Sequence, residues 1–282
     1  MSSTASPQFV AHTLDAPAAL RLWHLASFDA PTVAVVWSLA LARVAGLHLP
    51  AWVLLLLALG TWAVYVADRL LDARRAQSVG RTCELHERHW FHWQHRRVLV
   101  PGTCLAVLLC AVLVLAQMPV AFRARNSMLA MAALAYFGGV HLPRRPRRFP
   151  ALASKELLVG VLFAAGCAFP TLLRADAAER CGVLIAASYL AAVAWLNCYA
   201  IDRWETFPDA RIARGAGAVA LGGALLALVL DVPYPSAAAL VAAAAASCAL
   251  LALLDGARVR MTPLLLRVAA DLALLTPVVL LR

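Results

Sequence analysis

The sequence predicts an all-α, polytopic membrane protein, and its composition, its apolar runs and the placement of its charges support this fold class. Of the 282 residues, 63% are hydrophobic and only 14% are charged, and the mean hydropathy is +0.78. Soluble globular domains have about 25% charged residues, so this composition excludes that class. We therefore expect one membrane domain that covers residues 1–282.

Nine apolar runs separated by polar breaks are the candidate membrane helices. A bilayer core about 30 Å thick requires about 20 apolar residues in a helix, and a helix satisfies its own backbone hydrogen bonds there. Residues 1–25 hold one arginine and no apolar core with a cleavage site, so we expect a cytoplasmic N-terminal segment rather than a signal peptide. The expected spans lie at about 29–48, 50–67, 98–118, 127–142, 153–173, 181–200, 214–231, 236–254 and 264–281.

Positive charges concentrate in alternate loops, and this pattern predicts the orientation of the chain. The net charge is +10, and all the basic residues except Lys155 are arginines. Because basic loops stay on the cytoplasmic side, we expect a cytoplasmic N-terminus in a bacterial inner membrane. We interpret the charge as a topology signal and a contact surface for anionic lipids, not for nucleic acid. No protein partner can be inferred from these residues.

Two polar stretches follow the second and sixth apolar runs and share one pattern. The first is VYVADRLLDARR (64–75), and the second is NCYAIDRWE (197–205). Both contain Tyr-x-x-Asp-Arg followed by another acid, and both fall on the cytoplasmic side of the expected topology. Matching pieces in two parts of a membrane protein commonly flank one site. The matching residues are Tyr65, Asp68, Arg69 and Asp72 in the first stretch and Tyr199, Asp202, Arg203 and Glu205 in the second.

The carboxylate pairs in these stretches indicate a site for a hard divalent cation. Residues three or four positions apart share one helix face, so Asp68 repels Asp72 and Asp202 repels Glu205 unless a cation lies between them. Mg²⁺ prefers oxygen ligands and usually completes its shell with phosphate oxygens and water. The alternative interpretation is that the acids pair with nearby arginines as solvated loop charge.

These residues resemble the UbiA superfamily of intramembrane prenyltransferases. Members of that family have nine membrane helices and two aspartate-rich motifs, which follow helices 2 and 6. The first family motif, an Asn with Asp at +4 and +8, falls on Val64, Asp68 and Asp72, so the Asn is replaced. The second, Asp-x-x-x-Asp, falls on Asp202 with Thr206 at +4, and Glu205 is the available substitute.

The resemblance implies a bundle around a central cavity that faces the cytoplasm, capped by motif-bearing loops at 68–97 and 202–213. Two Mg²⁺ ions would bind the diphosphate of an isoprenyl donor, and an aromatic or lipid acceptor would attack the allylic cation. This implies that the protein is a transferase whose partners are a prenyl diphosphate, a hydrophobic acceptor and membrane lipids. The implied catalytic and metal-binding residues are Asp68, Asp72, Asp202 and Glu205.

Other polar residues near the two motifs are candidates for substrate binding. Arginine and lysine could grip the diphosphate, although Lys155 could equally snorkel at the interface. The tyrosines could line the cavity or belong to an interfacial aromatic belt. The stretch HERHWFHWQHRR contains a possible histidine base for the acceptor, or is an amphipathic surface helix. The diphosphate candidates are Arg74, Arg75, Arg81, Lys155 and Arg203, and the cavity candidates are Tyr65, Asn197, Tyr199, His89 and His92.

Two further expectations concern the last span and the alternative functions. Arg267 precedes Asp271 by one helical turn, so we expect them to form a structural pair inside the membrane. A membrane terpene cyclase would use the same donor and metal without an acceptor. A non-catalytic lipid-binding or scaffold protein would explain the loss of the Asn at position 64 and of the Asp at position 206.

Overall fold

All regular elements in the described parts of the chain are helices. The computed structural model describes residues 14–78, 87–141, 155–207 and 211–282. Short 3₁₀ turns at Arg258–Arg260 and Thr276–Leu281 flank the last α-helix. The α-helices are α1 (Ala18–Leu25), α2 (Asp29–Val44), α3 (Ala51–Ser78), α4 (Glu87–Gln94), α5 (Arg96–Gln117), α6 (Val120–His141), α7 (Lys155–Leu172), α8 (Ala177–Thr206), α9 (Ala213–Leu230), α10 (Pro235–Ala257) and α11 (Pro263–Ala273).

Seven of these helices are long and apolar enough to cross a membrane, which supports the membrane-embedded class. They are α3, α5, α7, α8, α9, and α10 and α11 with their 3₁₀ turns. Helices α1 and α2 meet at 85° and together would make an eighth span. The expectation of nine spans is not confirmed, because α6, at the expected 127–142 span, is not among them. Arg123, Arg125 and Asn126 make its first half too polar.

The two motif-bearing helices are longer than the sequence indicates. Helix α3 continues through Asp68 and Asp72 to Ser78, and α8 continues through Asp202 to Thr206. The expected cap loops at 68–97 and 202–213 are therefore largely helical in their described parts, and α4 forms a separate short helix. The reason is local, since residues 68–78 are rich in Ala, Leu and Arg, which favour helix, and neither 68–78 nor 202–206 contains Gly or Pro.

The bundle core lies where α2, α7, α8 and α10 meet. Trp37 and Leu41 of α2, Leu190 of α8, and Leu240 and Leu251 of α10 are fully buried. The most extensive helix contacts are between α9 and α10 and between α7 and α8, and α5 packs on α3. This core leaves the C-terminal ends of α3 and α8 on the same side as α4.

The break between α1 and α2 creates a polar corner at that end of the bundle. Ser27 has a φ of 63°, a left-handed conformation that is rare for residues other than glycine. Helix α3 closes the corner, because Trp62 Nε1 donates a hydrogen bond to the Ala26 carbonyl over 3.0 Å. Helix α1, inside the segment expected to be a cytoplasmic tail, instead packs against α4 and α11.

Candidate functional site

Helix α4 lies between the two acidic motifs, and its Arg88 is near carboxylates of both. Its Nη1 lies 3.6 Å from Glu205 Oε1. Burial lowers the pKa of Arg88, and the nearby carboxylates of Glu205, Asp271 and Asp68 oppose that effect. Acids of both motifs therefore act on one buried guanidinium, which stays charged because arginine is not deprotonated in proteins.

The carboxylate of Glu205 is held by two arginines. Arg267 Nη2 lies 3.0 Å from its Oε1 and 3.1 Å from its Oε2, while Arg88 approaches from α4. Arg267 thus pairs with Glu205, and the expected pair of Arg267 with Asp271 is wrong. The pairing holds α11 against the end of α8. Periodicity within one helix cannot predict a contact between two helices that are distant in the chain.

The remaining predicted metal and diphosphate residues occupy different environments. Asp68 and Asp72 are half-buried one turn apart on α3, whereas Asp202 is exposed. The guanidinium of Arg203 lies 5.0 Å from the Tyr199 ring centroid and 5.1 Å from that of Phe207. Exposed side chains at the bundle end are those of Arg74, Arg75 and Lys155, and Arg81 lies outside the described residues.

The end of α8 is fixed from α10 by a buried carboxylate. Asp255, only 2% exposed, accepts a hydrogen bond from Trp204 Nε1 over 2.8 Å. It also accepts from the backbone N–H groups of Ile212 and Ala213, at 3.1 and 3.0 Å. These bonds anchor the second motif and the start of α9 at once.

Arg69 of the first motif points into the polar corner instead of toward a solvent-exposed site. It is only 7% exposed. Its Nη1 donates to the His24 carbonyl over 3.0 Å and to Ser27 Oγ over 2.8 Å, and its Nη2 lies 3.3 Å from Asp29 Oδ2. Its guanidinium also lies 6.0 Å from the ring centroid of Tyr65. Arg69 therefore locks the break between α1 and α2.

His92 of α4 is fully buried and engaged at both ring nitrogens. Nδ1 lies 2.7 Å from the Arg88 carbonyl and must donate to it, so in the neutral ring Nε2 accepts from Ser27 Oγ at 3.0 Å. Burial lowers the pKa of His92 to about 4, which favours this neutral form. His89 is also buried, 3.5 Å from Arg88 Nε through its Nε2. The expected role of these histidines as a base stays a prediction.

Two buried residues and the partly buried Asp271, all near Arg69, form the described group whose ligand atoms could hold a metal ion. One ligand atom each of His24, Asp29 and Asp271 lies within 4.8 Å of the others. His24 Nδ1 is 2.7 Å from Asp29 Oδ2 and 3.3 Å from Asp271 Oδ2. Asn197 extends the group, because its Nδ2 donates to Asp271 Oδ1 over 3.3 Å. We name these four residues the His24 cluster.

A cavity of about 220 Å³ adjoins the second motif. It lies between the end of α8 and the chain that leads from α10 into α11, and no residue of the first motif lines it. The predicted central cavity between both motifs is not confirmed. The lining residues are Ile201, Trp204, Glu205, Arg258, Val259, Met261, Pro263, Leu266 and Arg267.

Sequence reasoning missed most of the buried polar residues at this end. It treated Arg69 as solvated loop charge that could pair with the motif acids, and it gave His24, Ser27, Asp29 and Arg88 no role. A charged residue inside an apolar run is the one available signal, since such a residue is costly without a partner. That signal marks Asp271 but does not identify its partners.

Comparison with known proteins adds no relative. We found no match to this chain among protein-family models, curated proteins or solved structures. The resemblance to the UbiA superfamily therefore stays a prediction based on the two motifs.

Proposed function

We propose that the protein binds an isoprenyl diphosphate where α3, α4 and α8 meet and, with Mg²⁺, transfers the isoprenyl group to a hydrophobic acceptor. The observation that carries this proposal is the position of α4 between the two motif-bearing helices, since it packs on α3 and its Arg88 Nη1 lies 3.6 Å from Glu205 Oε1 of α8. A charged site at the end of an apolar bundle suits a substrate with an anionic head and an apolar chain. The membrane phase would supply both donor and acceptor.

Three aspartates of the two motifs are the candidate Mg²⁺ ligands. Asp68 and Asp72 offer hard carboxylate oxygens from successive turns of α3, as this ion requires. Glu205 already pairs with Arg267 at 3.0 Å, so we assign its carboxylate to holding the arginines. Asp202, exposed on the last turns of α8, is the second motif's candidate ligand. Bound Mg²⁺ would neutralise charge on the departing diphosphate.

The protein's own cations and apolar surface complete the proposed site. Arg74, Arg75 and Lys155 are exposed at the same end and would bind phosphate oxygens. Val64, one turn before Asp68, is 49% exposed, so the acidic face of α3 continues into an apolar surface suited to the isoprenyl chain. In the reaction, the allylic C–O bond breaks and its electron pair leaves with the diphosphate. The acceptor then supplies the pair for the new bond and loses a proton to solvent.

The test is release of inorganic diphosphate by purified protein with Mg²⁺ and farnesyl or geranylgeranyl diphosphate. Asp68→Asn and Asp72→Asn weaken the hold on the Mg²⁺ that would neutralise the leaving diphosphate. Losing one group that stabilises developing charge typically costs about 10²–10³ in rate, so both variants should lose activity to that extent. Asp231→Asn, exposed between α9 and α10, is the control and should retain it. Equal background rates in all four proteins would contradict the proposal. Cyclised hydrocarbon formed without an acceptor would instead identify a cyclase.

A non-catalytic lipid-binding role is the second candidate, and the pairing of Glu205 with Arg267 favours it. A carboxylate already neutralised by two guanidinium groups stabilises the fold without any ligand. This role predicts that wild-type protein binds a prenyl diphosphate but releases no inorganic diphosphate. Binding that Asp68→Asn leaves unchanged would support it against the transferase.

A further inference from the structure

We propose that the His24 cluster binds one divalent transition-metal ion through His24, Asp29 and Asp271, at a site separate from the acidic motifs. The three residues come from α1, α2 and α11, so one bound ion would join the helix break to the last membrane helix. The site does not depend on the proposed prenyl transfer. Its ligands are none of the residues assigned to Mg²⁺ or diphosphate.

The charge balance among these largely buried groups favours a bound cation. The side chains of His24, Asp29 and Asp271 are 2%, 5% and 16% exposed. Arg69 lies 3.3 Å from Asp29 Oδ2 and supplies one positive charge. Within the described chain, Asp271 contacts His24 and Asn197, whereas Arg88 acts on it only from beyond ion-pair distance. A buried and a largely buried carboxylate with one guanidinium in contact favour a further cation, since an uncompensated buried charge is strongly destabilising.

The geometry at His24 Nδ1 also favours an ion. This buried nitrogen lies 2.7 Å from one carboxylate oxygen and 3.3 Å from another, yet neither oxygen lies in the direction that a well-formed hydrogen bond requires. A proton on Nδ1 is effective only when the acceptor lies along the N–H direction. A metal ion would instead bind the lone pair of His24 Nδ1, and it would lie to one side of the line that joins this nitrogen to a carboxylate oxygen. The arrangement therefore suits an ion better than a shared proton.

The ligand types and spacings indicate which metal fits. One imidazole nitrogen with two carboxylates is typical of Zn²⁺, Mn²⁺, Fe²⁺ or Co²⁺ rather than Mg²⁺ or Ca²⁺. Ligands about 2.0–2.2 Å from one ion lie about 3.0–3.6 Å apart, which matches the 3.3 Å between His24 and Asp271. The 2.7 Å separation from Asp29 would lengthen by about 0.5 Å on binding.

Asn197 offers a fourth ligand from α8. It is 5% exposed, and its Oδ1 is a buried oxygen without a hydrogen-bond partner. Its Nδ2, not this oxygen, faces Asp271, so the amide would have to turn over to present Oδ1 as a fourth oxygen or nitrogen donor of a tetrahedral set. With it, one ion would contact residues of four helices.

The experiment is metal binding to the full-length protein, purified without an affinity tag and stripped with a chelator. Wild-type protein titrated with Co²⁺ in excess Mg²⁺ should bind about one equivalent and develop visible d–d absorption. The excess Mg²⁺ saturates oxygen-only sites, so the signal reports a nitrogen-containing site. Pulsed electron paramagnetic resonance with Cu²⁺ on wild-type protein should show one coordinated imidazole, and this readout requires no variant.

Matched variants locate the site. His24→Gln and Asp271→Asn should weaken Co²⁺ binding at least about tenfold. His48→Gln and Asp231→Asn, both at exposed positions, should leave it unchanged. Wild-type protein that binds no Co²⁺ in excess Mg²⁺, or binding that the His24 and Asp271 variants retain, would overturn the proposal. The first result would identify the cluster as a protonated histidine between two carboxylates. Failure of prenyl transfer would not affect either readout.

Discussion

Arg69 and Arg203 occupy the same position in the repeated Tyr-x-x-Asp-Arg pattern, but they have different partners. Arg69 is 7% exposed and donates to Ser27 and the His24 carbonyl. Arg203 is half-exposed and lies over the rings of Tyr199 and Phe207. The shared pattern therefore places an arginine near the end of each helix, but the contacts of that arginine depend on which helices pack beside it.

The largest expected effect is the loss of Arg69. Arg69→Met leaves Asp29 buried without its guanidinium and should lower the free energy of unfolding by about 3–5 kcal/mol. Arg203→Met removes only contacts with aromatic rings and should cost at most about 1 kcal/mol. Thermal unfolding of the purified proteins in detergent measures both. Equal losses in the two variants would refute the contrast between the motifs.

The second prediction tests the close approach of α7 to α8, the helix that carries the second motif. A Cβ at Gly160 would lie 2.7 Å from the Trp195 backbone nitrogen and 2.8 Å from the Ala191 oxygen. Gly160→Ala should therefore force the helices apart and cost about 1–3 kcal/mol. Gly166 on the same helix has no atom within 4 Å of such a Cβ, and Gly166→Ala should stabilise α7 by up to about 1 kcal/mol. Urea or thermal unfolding would show the opposite signs, and matching signs would contradict the close approach.

The third prediction separates the two acids of the second motif. Glu205→Gln removes the charge that Arg267 and Arg88 face, so we expect a loss of about 1–2 kcal/mol. Asp202 is exposed, and Asp202→Asn should change stability by no more than about 0.5 kcal/mol. The measurement is again the free energy of unfolding. A larger loss of stability in Asp202→Asn than in Glu205→Gln would contradict this distinction between the two acids.

The smallest effect is a pH dependence from His92, which contacts Ser27 beside Arg69. Burial chiefly lowers its pKa from 6.5 to about 4, with Arg69 and Arg88 also opposing the charged form. The unfolded chain therefore binds this proton at higher pH than the folded protein, so the stabilisation is complete above pH 6.5 and is lost as the pH falls toward 4. His92→Gln should remove this part of the pH dependence of the melting temperature. His95→Gln, at an exposed position, should retain it. Identical pH profiles in wild type and His92→Gln would contradict the assignment.

The fold was more predictable than the site. Long apolar runs indicate membrane helices because a bilayer imposes both their length and their composition, and seven runs correspond to helices of that kind. Helix α6 departs from the expectation because Arg123 and Arg125 make its first half polar. The cap loops at 68–97 and 202–213 were misjudged because polar residues end an apolar run without ending a helix.

The helical membrane class, and the placement of carboxylates after two of the long apolar helices, are predictable from the amino-acid sequence alone. Composition, helix propensity and periodicity are properties of neighbouring residues, so a single chain displays them. The inward position of Arg69 depends on tertiary packing, since its acceptors lie 40–45 residues away in the chain. Tertiary packing likewise brings Asp271 to His24 and not to Arg267, because these contacts depend on how distant helices pack.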